Sequence, residues 1–447
     1  MNLKTEQFVS FKIMRSKLIL ILFALIVSVA ARSETLETKP ADPFFEKFSP
    51  LKAPAPKKHF LKAGDRLAIC GDSITEQKMY SRIMETYLTV CVPELNISVR
   101  QYGWSGERAP GFLARMTNDC LRFKPTVETT CYGMNDHEYR AYQDRIGNTY
   151  RSNSVAIIEA FKANGVRGIQ GSPGCVGKRP TWVGDTNASM EDLNLSLCKL
   201  RNIDIEIAKK KNMGFADVFW PMLTSGQIAR AKYAPGYAIA GKDGVHPGWA
   251  GHLVMAYAFL HSFGLDGDIG TFTVDLRSNK AKVSNGHELL GFANGNLQIK
   301  SHRYPFCLGE GDPAKDDNMR SGAMLVPFNQ ELNRLMLVVK HPAAKSYQVT
   351  WGDETKTYTA GQLGKGINLA EDFLRNPFSD AFKQVDQAVL AKQAYETKQI
   401  KQIFRSPAAK ADMEGTVAQT EAEREPLAAA IKTAFVPVTH TIKIVAQ

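Results

Sequence analysis

The chain predicts an α/β fold: a three-layer α/β/α sandwich on a parallel sheet over residues 62–265, then a smaller β-rich domain with inserted helices over residues 266–447. Three observations carry this. Strand-like and helix-like segments alternate from Arg66 to Phe263, and short β-prone runs with Gly, Asn and Asp turns take over after Gly264. Glycine-bearing polar segments recur where the strands end. At 447 residues, 44% hydrophobic and 23% charged, the chain can bury two cores.

In order, Arg66–Cys70 reads as a strand, Met79–Val90 as a helix, Ile97–Tyr102 as a strand and Phe112–Phe123 as a helix. Thr126–Tyr132 follows as a strand, then helix Ser152–Ala163, strand Val166–Gln170, helix Met190–Lys211, strand Gly214–Trp220 and helix Trp249–Phe263. Helices of this length between strands imply right-handed crossovers and a parallel sheet covered on both faces. Beyond Gly264, Thr271–Leu276, Leu289–Ala293, Leu335–Lys340 and Tyr347–Trp351 read as antiparallel strands, with a hairpin through Gly352-Asp353 into Thr355–Thr359. Helices are expected over Ser379–Phe404 and Glu421–Ala434, before a last strand Thr441–Val445.

Ahead of the alternation, Lys12, Arg15 and Lys17 precede an apolar run Leu18–Val27 and then Ser28-Val29-Ala30-Ala31. That is the pattern of a cleaved signal peptide over residues 1–31, too short for a stable membrane span, and it predicts a secreted or periplasmic protein. Residues 32–61, with five prolines from Pro40 to Pro56, read as an extended lead-in. The formal net charge of +11 falls to +8 once Lys4, Lys12, Arg15, Lys17 and Glu6 are removed with the leader. It comes without basic blocks interleaved with aromatics, so nucleic acid is not an expected partner. Seven cysteines form no C-x-x-C pair, which removes the common zinc and thioredoxin-type patterns. Cys70 and Cys131 belong to buried strands; Cys91, Cys120, Cys175, Cys198 and Cys307 are candidates for disulfides of unassigned connectivity.

Four segments carry the chemistry: Gly71-Asp72-Ser73, Gly103-Trp104-Ser105-Gly106, Gly133-Met134-Asn135-Asp136 and Asp243-Gly244-Val245-His246-Pro247. Ser73 follows the first strand, at the sheet edge where open α/β folds bind ligands, and needs a base to become a nucleophile. Among nine histidines, His246 comes with an acid three residues upstream, Asp243, in a glycine-bearing turn, and Pro247 is placed to start the next helix. The backbone N–H groups of Ser73 and Gly106 and the amide of Asn135 are candidate oxyanion donors from three strand ends. Taken singly, Asp243 reads equally as a cap, Gly106 as a turn glycine and Asn135 as an Asx-turn residue; their joint placement gives them a catalytic reading. Asp72 is expected to stabilise its loop and Asp136 to cap a helix. Trp104, Glu107 and Arg108 are candidate pocket residues, Trp104 equally a core residue, and His252 is expected to pack. Asp136-His137-Glu138 lacks a second ligand cluster of fitting spacing, so neither a metal nor another cofactor is expected.

These segments resemble the four blocks of the SGNH, or GDSL-type, hydrolase superfamily over residues 62–265, and Gly71–Gln77 with Gly103–Gly106 is similar to a subgroup of exported bacterial esterases. The resemblance implies a flavodoxin-like fold, a metal-free Ser-His-Asp site and ester hydrolysis, with many exported relatives deacylating carbohydrates. Met134 stands where many relatives carry glycine, which makes it a further candidate pocket residue. The G-x-S-x-G elbow of the α/β-hydrolases is absent. The expected substrate is an acylated carbohydrate or other ester. A lipid acylhydrolase and a non-catalytic glycan-binding protein are the alternatives.

Overall fold

Five strands, β1 (Arg66–Gly71), β2 (Ser98–Gly103), β3 (Val127–Cys131), β4 (Arg167–Gly171) and β5 (Gly214–Ala216), form a parallel sheet in the order β2-β1-β3-β4-β5 in the computed structural model. The structure describes residues 35–58, 60–184 and 187–447; the expected leader, residues 1–31, lies outside them. Alternating residues of β1 feed opposite layers. Leu67 and Ile69 join Ile83, Met84, Leu253 and Phe259 on one side, while Ala68 and Cys70 join Phe112, Met116, Ile157 and Phe161 on the other. The register pairs Gly71 with Gly103 and with Cys131, so three strands end level and their following loops share one edge. This is the flavodoxin-like strand order, with its topological switch point beside β1.

Within the parallel-sheet half, two boundaries differ most from the sequence reading. The helix expected from Ser152 begins at Asp144, its first turns carrying Gly147, where a Cβ would collide with the Tyr142 ring. The strand expected over Gly214–Trp220 is only Gly214–Ala216, and a helix Phe219–Lys232 follows. Pro221 lies in that helix's first turn, where its missing N–H costs no intrahelical bond.

The second half holds β6 (Asp268–Asp275), β7 (Lys280–Val283), β8 (His287–Ala293), β9 (Asn296–Ser301), β10 (Arg334–Lys340), β11 (Ser346–Trp351), β12 (Glu354–Thr359), β13 (Ile367–Asn368) and β14 (Val438–Ala446). One sheet runs β12-β11-β14-β9-β8 and is antiparallel throughout; the other runs β13-β10-β6-β7. In that second sheet β6 and β10 are parallel, contrary to the all-antiparallel expectation, because the long excursion from β6 to β10 returns the chain in the same sense. The β11–β12 hairpin turns at Gly352-Asp353, with positive φ at Gly352 as a type II′ turn requires.

Helix Ser379–Lys401 lies against β2, the outer strand of the parallel sheet, and helix Met413–Ala434 packs on that helix. Their side chains satisfy its open edge. The Gln101 N–H donates to Glu396 at 3.2 Å, and the Val99 carbonyl accepts from Lys392 at 2.5 Å and Arg424 at 3.3 Å. The proline-rich lead-in is also docked, with Phe45 and Phe48 buried against Trp220 at ring separations of 5.5 and 6.2 Å. All seven cysteines are free and buried, so none of the five disulfide candidates is bonded.

Candidate active site

Strand β1 ends at Gly71, where a Cβ would collide with the Thr75 hydroxyl, and the chain turns at once into the short helix Ser73–Glu76. Asp72 caps that helix, its Oδ1 accepting the Ile74 N–H at 3.0 Å, which presents Ser73 at the sheet edge. Burial pushes the Asp72 carboxyl up to about 7, against its capping bond.

Ser73 Oγ lies 2.8 Å from His246 Nε2, and His246 Nδ1 lies 2.7 Å from Asp243 Oδ2. The other Asp243 oxygen accepts the backbone N–H groups of Val245 and His246, both at 2.9 Å. Burial opposes ionisation of Asp243, but those two amides and the imidazole outweigh it and hold the carboxyl below its ordinary range. An ionised Asp243 requires the proton on Nδ1, which leaves Nε2 free to accept from Ser73. The helix carrying this turn begins at Trp249 behind an N-cap at Gly248, so Pro247 precedes the helix rather than starting it.

At the neighbouring strand ends, Gly106 is exposed with φ +72° and has open space where a side chain would stand, and Asn135 lies in the loop after β3. The Asn135 amide donates one N–H to the Glu107 carbonyl at 3.0 Å, and its oxygen accepts the Tyr139 hydroxyl at 3.2 Å. Its second N–H remains to serve a substrate oxygen. Asp136 bonds the Ala109 and Gly133 N–H groups at 2.9 and 3.0 Å, tying the start of helix Ala109–Asp119 to this loop; burial raises its carboxyl to about 6.

A cleft of about 350 Å³ opens over the pair, lined by Ser73, Glu76, Gln77, Ser105, Asp243 and His246. The four expected pocket residues are not in that lining. Glu107 is buried in a paired bond to Arg115, 2.6 Å at each oxygen, and Met134 is core. Arg108 is exposed and pairs with Glu138 at 3.3 Å. Trp104 is half-buried, with the cationic groups of Arg115, Lys401 and Arg405 5.0, 5.3 and 5.3 Å from its ring centre. His252 is buried as expected, but it also does local work: Nδ1 accepts the Tyr80 N–H at 3.3 Å and Nε2 bonds Gln77 at 2.9 Å. Burial lowers it to about 3, so it stays neutral.

Sequence reasoning singled out neither Glu76 and Gln77 nor Trp182, which is 50% exposed with its ring 5.9 Å from that of His246. A larger cleft of about 470 Å³ beside β6 and β7 has serine and threonine hydroxyls in its lining but no histidine or cysteine. Among the described residues no cluster of three His, Cys, Asp or Glu is suited to a metal, and no helix is long and apolar enough to cross a membrane.

Residues 69–254 match the model of the GDSL-like lipase/acylhydrolase family. Over that region the chain is similar to the GDSL-like, or SGNH, esterases. The SGNH region is 24% identical over 229 residues to an acetylxylan esterase of Geobacillus stearothermophilus, covering 46% of this chain and 96% of that protein. The whole architecture, including the β-rich half, resembles the solved structure of a gut microbial diltiazem-metabolizing enzyme, with TM-score 0.69 and 20% identity over 88% of this chain and 100% of that one. At that identity the likeness concerns the fold.

Proposed function

We propose that this protein is an SGNH-type esterase that removes acetyl or other short acyl groups from a carbohydrate, with Ser73 as nucleophile, His246 as general base and acid, and Asp243 as its orienting partner. The observation that carries the reading is the Ser73–His246–Asp243 relay, at 2.8 and 2.7 Å, open to a polar cleft. Ser73 Oγ attacks the ester carbonyl while its proton passes to His246 Nε2. The N–H groups of Ser73 and Gly106 and the free N–H of Asn135 take the oxyanion. Collapse breaks the bond to the alcohol oxygen, which takes the proton from His246 and leaves an acyl-Ser73. Water then attacks the acyl carbon, gives its proton to His246, and the carboxylic acid departs as Ser73 is reprotonated.

Cleft chemistry supports a short acyl group and a hydroxyl-rich alcohol. Its lining is Ser, Glu, Gln, Asp and His, with no aliphatic wall for a long chain. Because His246 must protonate the leaving alcohol, the alcohol lies on the imidazole side, where exposed Trp182 offers a flat apolar face to a sugar ring. Similarity to an acetylxylan esterase points the same way. Export fits the leader-like first 31 residues and a polysaccharide substrate outside the cytoplasm.

A p-nitrophenyl ester series from acetyl to long acyl chains, run with wild-type protein and Ser73→Ala, tests the chemistry. Serine-dependent hydrolysis that falls steeply beyond short acyl groups is expected, followed by acetate release from acetylated oligosaccharides. Preference for long chains would replace this reading with a lipid acylhydrolase, and hydrolysis undiminished in Ser73→Ala would remove the serine mechanism.

A further inference from the structure

We propose that Lys401, at the end of helix Ser379–Lys401, is a positioning residue for the oxyanion loop of the serine site and acts through Glu76. The proposal rests on the reading of Ser73 as nucleophile and gives the C-terminal half a part in the same reaction. Glu76 ends the short helix that Ser73 begins, and its side chain lines the cleft. Lys401 Nζ lies 2.7 Å from each of its carboxylate oxygens, and one of those oxygens also accepts the Ser105 N–H at 2.5 Å. A single carboxylate thus ties three elements together: the nucleophile's helix, the loop after β2 and a helix more than 300 residues downstream.

That loop needs an external tether. Ser105 and Gly106 are both exposed and nothing lies within 4 Å of where a Gly106 side chain would stand, so beyond the Glu107 N–H bond to the Trp104 carbonyl at 3.1 Å little packs against the loop tip. At the loop's base, Gly103 abuts the backbone of Thr75 and Glu76 so closely that a Cβ would collide with it, and Trp104 has the Lys401 ammonium 5.3 Å from its ring centre. Lys401 therefore acts on Ser105 through Glu76 and, together with Arg115 and Arg405, on the Trp104 ring. It also balances the Glu76 charge, which would otherwise stand in the cleft against the negative charge that develops on the carbonyl oxygen. Lys78 also reaches Glu76, but its ammonium bonds the backbone carbonyl at 2.6 Å and leaves the carboxylate that holds Ser105 to Lys401.

Steady-state kinetics on p-nitrophenyl acetate test this with Lys401→Met, Lys401→Arg, Glu76→Gln and the double variant Lys401→Met/Glu76→Gln. Lys401→Met should lower kcat about 10- to 100-fold with KM within about twofold, since displaced oxyanion donors act on the transition state. Lys401→Arg should recover most of that loss, and the double variant should be no slower than the slower single variant, because both break one tether. Wild-type kcat in Lys401→Met, or losses that multiply in the double variant, would overturn the proposal. Amide hydrogen exchange over residues 103–108 gives an activity-free reading. Faster exchange there in Lys401→Met, with protection elsewhere kept, is expected, and unchanged exchange would overturn the tether. Hydrolysis that persists in Ser73→Ala would instead defeat the serine reading, while the exchange result would still judge the tether.

Discussion

Asp243 is more than a charge near a histidine, because its two oxygens are assigned different partners. Oδ1 takes the N–H groups of Val245 and His246, so it must remain an acceptor, and only Oδ2 faces the imidazole. In Asp243→Asn the amide oxygen keeps the backbone bonds and the NH₂ turns toward Nδ1. The ring then carries its proton on Nε2 and cannot accept one from Ser73. We expect kcat to fall about 10²- to 10⁴-fold with KM nearly unchanged, measured on the same short-chain ester as the wild type. Trp182→Ala makes the opposite kinetic prediction. If its face holds the sugar of the leaving alcohol, KM for an acetylated oligosaccharide should rise about 5- to 10-fold while hydrolysis of ethyl acetate is unchanged. Equal loss on both substrates would remove Trp182 from the alcohol site. The serine, acid and base segments were legible because each sits beside a strand end or a helix start, where spacing alone places it at one edge. Trp182 was not, since a lone tryptophan in a loop carries no periodicity to say which way it faces.

The strands of the parallel sheet were legible from their regular alternation with helices and from the glycine-bearing segments at their ends rather than from composition, since only β1 holds an apolar run, Leu67–Cys70, and β3 reads Val-Glu-Thr-Thr-Cys. Helix Phe219–Lys232 escaped because Pro221 and Gly226 interrupt it and its apolar residues are spread around the axis, leaving no single stripe to recognise. Strand β3 hides a feature of another kind. Glu128 is fully buried there, neither carboxylate oxygen has a hydrogen-bond partner, and burial drives its carboxyl far above its ordinary range. Its oxygens occupy the space a Cβ would need at Gly168 on β4, which is why a glycine faces it. The folded protein keeps the proton that the unfolded chain releases above pH 4.5. Its contribution is therefore complete below that pH and declines as pH rises toward the folded-state value. Glu128→Gln removes this titration. Thermal melts should show the variant gaining stability relative to wild type as pH rises from 4 to 8. A pH-independent difference would mean that Glu128 titrates in the fold as it does in the unfolded chain.

At the scale of the molecule, the two halves that differ so clearly in sequence texture share one buried cluster, running from Ile69 and Ile83 through Tyr87, Phe306 and Phe328 to Leu335, Val349 and Trp351. Tyr87 stands at the junction, its hydroxyl bonded to the Leu332 carbonyl at 2.6 Å. A second junction is ionic. Lys392 lies 2.9 Å from Glu85 and 3.0 Å from Glu396, Arg424 lies 2.7 Å from Glu396, and Gln393 bonds Glu85 and Ser81, all behind the edge of β2. Such a network contributes little net energy when intact, yet removing one member strands the others away from water. Glu396→Ala would leave Lys392 with one carboxylate partner, Glu85, Arg424 without its carboxylate and the Gln101 N–H without an acceptor. A loss of about 3–5 kcal/mol is expected from equilibrium denaturation. Because the damaged groups belong to both halves, the transition should move as one, with both halves' signals shifting together. Residues 35–265 expressed alone would expose the β2 edge and the apolar face of helix Tyr80–Val90, and should aggregate or melt without cooperativity. A monomeric, cooperatively melting fragment would show instead that the SGNH region stands by itself and that the C-terminal half is a separable attachment.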